Sequence, residues 1–382
     1  MSITIRGGRV ITPLEVFEQA DVLIEGGRIL AVGPGLAAAA AGERIEAEGH
    51  IVAPGLVDIH VHGSAGHDTM DATREAIEGM ARYFASRGVT AFCPTTMTVP
   101  AEEIMASVRA VHECQQRPVE GAQPLGVHLE GPYIDAAKKG AQPAQHVRTA
   151  GDLDYRGFFS LGNIRLVSLA PEFEENRELI AFARARGVAV AVGHSSASYE
   201  QVVEAVKLGV SQSTHTFNQM EGIHHRKPGT VGAALMLDEI YAQFIADGVH
   251  LHPAIVKMIV HLKGPDRAVL ITDAIRGAGM PDGEYELGGQ PITVKEGAVR
   301  LADGALAGSC LTMDQGVRNI AAFTGRPLAE CLRMATLTPA RAIGVAHRKG
   351  SIEPGKDADI VILTPNLEVA ATVAMGRVVY RA

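Results

Sequence analysis

The first fifty residues alternate short apolar runs with turn residues. Residues 3–5, 10–11, 21–24, 28–32 and 43–46 have the make-up of short strands, and Gly7-Gly8, Gly26-Gly27 and Pro34-Gly35 break them. The last thirty residues repeat that grammar, with strands expected at 359–363 and 369–380 and a break at Met375-Gly376. Between the two ends the pattern changes. Short β-branched runs fall at 56–62, 90–96, 125–131, 164–171, 189–195, 211–217, 241–247 and 268–274. Most are followed by an amphipathic stretch of helical period, such as 74–87, 102–115, 175–186 and 198–208. Eight βα units in succession predict an α/β fold, a (β/α)8 TIM-like barrel, although a doubly wound sheet uses the same units. The expected organisation is a barrel over residues 54–354 and a small β-sandwich domain formed by the N- and C-terminal segments, 1–53 and 355–382. There is no tandem repeat, and the alanine run at 37–41 reads as a loop or a short helical turn.

Polar residues interrupt the apolar strands at one end. Asp58, His60 and His62 stand at i, i+2 and i+4 of the first strand, hence on one face. Glu130 ends the third strand, His194 the fifth, and His215 and Asp273 lie near the ends of the sixth and eighth. In a barrel the C-terminal strand ends converge on one mouth. A lone strand histidine is most often a hydrogen-bonded core residue, and an HxH pair alone says little. The same residue types at the ends of five strands form a ligand set for a borderline divalent cation. Neutral imidazole and carboxylate bind Zn²⁺ at about 2.0–2.2 Å, and catalytic sites keep one position for water. Such an ion lowers the pKa of bound water to about 7 and so yields hydroxide as nucleophile. Asp273 is then the candidate general base that takes the proton and returns it to a leaving amine. These ligands accept zinc, iron or manganese, zinc being the first expectation. His128 shares a face with Glu130 and is read as structural. Gly229-Thr230-Val231-Gly232 reads as a flexible loop suited to closing over a substrate, and Gly308-Ser309 as shaping the mouth or as plain packing.

Composition narrows the partners. A formal charge of −8, with 47% hydrophobic and 20% charged residues, fits a globular protein and argues against nucleic acid, which needs a clustered basic face. Fifteen histidines accompany no tryptophan, an excess that the strand ends partly absorb. The four cysteines show no CxxC spacing, which predicts a reducing, cytoplasmic setting. The N-terminus has no continuous apolar core of a signal peptide, and the longest apolar runs fall far short of the roughly 20 residues that span a bilayer. No membrane partner is expected.

PGLVDIHVHG at the first strand, followed by a barrel set inside a split β-domain, resembles the amidohydrolase superfamily. HLEGPYI (128–134), KKGA (138–141), GHSSA (193–197), STHTFNQM (213–220), ADGVH (246–250), ITDA (271–274), AGSCLTMD (307–314) and GSIEPGKDADIVIL (350–363) are similar to its branch that deacetylates amino-sugar phosphates. The likeness runs over essentially the whole chain. It implies hydrolysis of the acetamide of an N-acetylated amino-sugar 6-phosphate, with the glucosamine sugar first and the galactosamine epimer or another N-acyl compound as rivals. Carried over by position, it implies that Glu130, His194 and His215 hold the principal metal, with Asp273 as catalytic base and acid. His60 and His62 are intact, which implies capacity for a second ion held with Asp273 and bridged by Glu130. Ala141, Gln142, Asn218, Gln219, Arg226 and His250 match substrate-contacting positions. Relatives usually carry a histidine, which polarises the substrate carbonyl, where this chain has Gln142; either the second metal or His146 takes over that task, or the substrate differs. In relatives the arginine of HHRKPG can be lent by a neighbouring subunit, so Arg226 implies a homodimer. A barrel that has lost catalysis and serves as a scaffold is the remote alternative, and its relatives usually lack the ligands kept here.

Overall fold

The computed structural model describes residues 2–12, 15–36 and 42–382. The alanine run at 37–41 lies outside the described residues. The eight expected barrel strands are present as Leu56–Val61, Val89–Pro94, a third strand in two pieces (Gln123–Pro124 and Val127–Glu130), Ile164–Leu169, Ala189–Val192, Val210–Ser213, Tyr241–Ile245 and Ala268–Ile271. Neighbouring strands pair in parallel. The third strand breaks because its first piece pairs with the second strand and its second piece with the fourth. The gap holds Gly126 at φ +136°, where a Cβ would lie 2.4 Å from the Asn163 carbonyl. A parallel bridge between Thr95 and His128 rejoins the two halves. The barrel closes where Asp273 N donates to His60 O at 2.9 Å and His62 N donates to Ala274 O at 2.8 Å. The backbone of the candidate site is therefore also the seam of the barrel.

The strands lie under helices and read as continuous apolar runs, as parallel strands covered on both faces do. Every residue of Leu56–Val61 and Val89–Pro94 is buried. Arg74–Ser86 covers them with Ile77, Met80, Ala81 and Phe84, and starts where the Thr73 side chain accepts from Ala76 N. Tyr199–Leu208 opens on a capping box between Ser198 and Gln201. No described helix is long and apolar enough to cross a membrane.

The chain ends fold together. Ser2–Ile11, Val16–Glu25, Arg28–Gly33, Glu43–Glu46 and Ile51–Pro54 join Ile360–Leu363, Val369–Ala374 and Arg377–Arg381 in one eight-stranded sheet. The two termini meet where Ile51–Pro54 pairs antiparallel with Ile360–Leu363. Ile3, Ile5, Val22, Ile24, Val52, Ile360 and Val373 form a core separate from that of the barrel.

Two regions differ from the sequence reading. Gly229-Thr230-Val231-Gly232 is not a flexible loop but the buried start of the helix Gly229–Met236. A Cβ on Gly229 would lie 2.6 Å from the carbonyls of Glu221 and Gly222, so the glycine serves close packing. A three-stranded antiparallel sheet, Gly283–Leu287, Gln290–Lys295 and Ala298–Leu301, follows the last barrel strand and was not expected. Its signal is in the sequence: Gly288-Gly289 and Glu296-Gly297, all at positive φ, are two-residue hairpin turns.

Candidate active site

The barrel ladders stop two residues short of the chemistry. Val192, Ser213 and Ile271 end their strands, and His194, His215 and Asp273 follow at φ +49°, +28° and +52°. These residues sit on the first bend after each strand, so the expected strands 189–195, 211–217 and 268–274 overrun. Left-handed backbone is uncommon for non-glycine residues and gathers at functional sites. Here it turns three side chains toward one point.

Glu130 is that point. Its Oε1 lies 3.3 Å from His60 Nε2, 3.3 Å from His194 Nε2 and 3.2 Å from His215 Nε2. Its Oε2 lies 3.2 Å from His62 Nε2. Asp273 Oδ1 is 3.4 Å from His60 Nε2 and 3.3 Å from His62 Nε2. The donor atoms fall into two groups, Glu130 with His194 and His215, and His60 and His62 with Asp273.

Hydrogen bonding shows that these groups fit cations. His194 Nδ1 is 2.8 Å from Lys138 O, and His215 Nδ1 is 3.2 Å from Asn218 O. A carbonyl only accepts, so each Nδ1 carries a proton and the neutral ring leaves Nε2 as an acceptor. The two Nε2 atoms stand 3.1 Å apart and both face a carboxylate oxygen. Acceptors facing acceptors need a cation between them. Lys138 belongs to the KKGA motif, and the motif's contribution here is a backbone carbonyl that fixes the His194 ring.

The charges agree. Burial alone would raise the Glu130 carboxyl, but the His60 ring beside it and the close His194 and His215 rings overturn this and hold it well below the usual carboxylate range. Asp273 is likewise buried, yet His60 and His62 bring it down to about 2. Burial acts to lower the His62 imidazole, but Asp273 and Glu130 raise it well above its ordinary value. Two buried, ionised carboxylates demand positive charge in the pocket. His128, by contrast, is pushed well below the imidazole range by burial and by His60. It stacks edge-on to His60 with centroids 4.5 Å apart and hydrogen-bonds Ser168 Oγ at 2.7 Å, a supporting place.

The structure brings most of the expected substrate residues to one cleft. Ala141, Gln142, Asn218, Gln219 and His250 line it with Glu130, His194, His215, His62 and Asp273. His250 Nδ1 is 2.7 Å from Asp247 Oδ2, which orients the ring. Arg226 is not brought there; it is exposed and lies beside His225 Nε2 at 2.7 Å. His146 forms part of a short helical turn and is not among the lining residues. Gly308 has φ +64°, and a Cβ there would lie 2.5 Å from Ile275 Cγ2 and 2.9 Å from Asp273 O. Ser309 N donates to Asp273 O at 2.8 Å, so Gly308-Ser309 shapes the mouth by holding Asp273.

Sequence reading missed several contributors. Glu172 accepts from Ser195 Oγ at 2.7 Å and Ser196 N at 2.6 Å, clamping the bend that carries His194. Asp58 accepts from Thr272 Oγ1 at 2.5 Å, and burial pushes its carboxyl up to about 6. Asp58 was legible as the first member of the i, i+2, i+4 series. Glu172 had no such signal. Met97, Leu287 and Leu306 complete the cleft, and Leu287 comes from the unexpected sheet.

A closed parallel barrel with four histidines and two carboxylates at its C-terminal mouth defines the class of barrels that hold divalent cations for catalysis. The chain belongs to the amidohydrolase family, whose model matches residues 51–379. It is similar to the N-acetylglucosamine-6-phosphate deacetylase of Vibrio furnissii, 42% identical over 86% of this chain and 83% of the relative. It is similar also to the N-acetylgalactosamine-6-phosphate deacetylase of Escherichia coli O157:H7, 38% identical over 97% of each. Among solved structures it matches an aspartate-to-alanine variant of the N-acetyl-D-glucosamine-6-phosphate deacetylase of Mycobacterium smegmatis in complex with N-acetyl-D-glucosamine-6-phosphate. That TM-score is 0.90, with 32% identity and coverage of 99% of both chains.

Proposed function

We propose that this protein hydrolyses the acetamide of N-acetyl-D-glucosamine 6-phosphate to D-glucosamine 6-phosphate and acetate. The observation that carries the reading is the pair of donor groups sharing Glu130, in a chain similar over most of its length to deacetylases of amino-sugar phosphates. Glu130, His194 and His215 hold the principal divalent cation, and His60, His62 and Asp273 a second, zinc first and iron or manganese as alternatives. A divalent cation bound there lowers the pKa of water and polarises an amide carbonyl. Asp273, kept ionised, accepts a proton from water and delivers it to the leaving amine. His250, Asn218 and Gln219 line the cleft where the sugar binds, and Arg226 reaches the phosphate of a neighbouring copy in a homodimer. Four unpaired thiols, three of them buried, suit a cytoplasmic setting.

Purified protein should release acetate from N-acetyl-D-glucosamine 6-phosphate, lose that activity on chelation and regain it with added zinc. Activity untouched by exhaustive chelation would overturn the reading. The galactosamine epimer is the second reading, favoured by the Escherichia coli relative. A ratio of kcat/KM for the two epimers below one decides for it.

A further inference from the structure

Gln142 is 3% exposed and committed at both ends of its amide. Thr98 N lies 2.7 Å from Gln142 Oε1, and Gln142 Nε2 lies 2.8 Å from Glu130 Oε2. The orientation is forced. A backbone N–H can only donate, so the oxygen of the amide must face Thr98 and the NH2 must face the carboxylate. Two tight places hold the bridge together. Gly131, at φ +73°, lets Thr98 approach so closely that a Cβ there would lie 2.1 Å from Thr98 Oγ1. Gly140, at φ +55°, turns the chain into Ala141 and Gln142, and Gln290 Nε2 pins the Ala141 carbonyl at 2.6 Å.

We propose that Gln142 is a positioning residue for the metal centre, holding Glu130 Oε2 on the side of His62 so that Oε1 faces His60, His194 and His215. This rests on the reading of the two donor groups as cation ligands. The terminal torsion of a glutamate is broad and roughly two-fold, so an untethered carboxylate would not keep Oε1 aimed at those three rings. The Gln142 N–H ties down Oε2, on the side of His62, and thereby points Oε1 at His60, His194 and His215. The clamp is also neutral. A cationic side chain 2.8 Å from Oε2 would oppose a cation at His60, His62 and Asp273, whereas an amide donates without adding charge.

The test is zinc affinity rather than turnover. Wild type, Gln142→Met and Gln142→Ala, each stripped of metal, compete for Zn²⁺ with a chromogenic chelator, while circular dichroism and the apo-protein Tm report folding. Both variants should hold zinc about 10–100-fold more weakly than wild type. Remetallated at saturating zinc, they should keep KM for the acetylated sugar phosphate within about twofold, since an amide tied to Thr98 and Glu130 acts through the ion. Gln142→Ala leaves room for a water and serves if Gln142→Met does not fold. Unchanged zinc affinity in a folded variant overturns the proposal, and an accompanying rise in KM would assign Gln142 to the substrate instead. Absence of zinc binding by the wild type would overturn the ligand reading itself, and the proposal with it.

Discussion

His194 and His215 show how a backbone can specify the tautomer of a candidate ligand. Each Nδ1 proton is held by a carbonyl, of Lys138 and Asn218 respectively, so both Nε2 lone pairs are directed inward. Asp273 completes the arrangement as a second ionised group beside both rings of the HxH pair, 3.4 Å from His60 Nε2 and 3.3 Å from His62 Nε2. Asp273→Asn keeps the shape and removes the proton acceptor. Steady-state acetate release should fall about 10²–10⁴-fold in kcat. A rate near that of the wild type would remove Asp273 from the mechanism. The identities of these residues were legible because chemistry-bearing side chains at five strand ends are hard to explain as core. The carbonyls that orient them were not legible, since a main-chain oxygen leaves no mark on the residue type that supplies it. The left-handed bends at His194, His215 and Asp273 were hidden for a related reason: histidine and aspartate are not glycine, and only the surrounding fold imposes that backbone.

Elements deliver those residues. The eighth strand ends at Ile271, and Asp273 keeps its place because Ser309 N and Gly308 back it from the segment after the small antiparallel sheet. A side chain at 308 has nowhere to go. Gly308→Ala combines positive φ with a Cβ 2.9 Å from the Asp273 carbonyl, so the segment must shift. Activity should drop at least about tenfold, as small misplacements near the chemistry do, with a stability loss of roughly 1–3 kcal/mol. Parallel kinetics and urea unfolding check this; a neutral result would show that Gly308 only fills space. The barrel strands and their helices were legible from period alone, because each is a short apolar run followed by an amphipathic stretch. The sheet at 283–301 was passed over because it follows the eighth unit, where a barrel needs nothing more. Its alternation and glycine turns become meaningful once Leu287 is seen to line the cleft. Gly229-Thr230-Val231-Gly232 misled in the opposite sense: glycines taken as freedom are there for close contact.

At the scale of the whole molecule, the terminal sheet and the barrel are fastened by a buried cation. Lys349 is 1% exposed, with Nζ 2.6 Å from Asp359 Oδ2 and 3.1 Å from Asp357 Oδ2. Arg28, from the terminal sheet, also reaches Asp357 at 3.0 Å. Lys349→Met would leave Asp359 buried with only the Met375 N–H as a close partner. The cost should be about 3 kcal/mol in urea unfolding, the lower end for a broken buried pair because Arg28 still serves Asp357. A loss under about 1 kcal/mol, the range of exposed pairs, would mean the network is not a fastening. A net charge of −8 does not draw a sugar phosphate to this surface, so local cations must do so, yet Arg226 is exposed and outside the cleft lining. Its place makes sense if two copies exchange arginines across a two-fold axis, each completing the other's site. Mixing Arg226→Ala with Asp273→Asn chains then gives mixed dimers in which the chain with an intact Asp273 receives Arg226 from its partner. Random exchange makes half of the dimers mixed, each with one complete site, so about a quarter of wild-type activity should return. Activity that stays at the average of the two separate variants would place Arg226 in its own chain's service or outside the reaction.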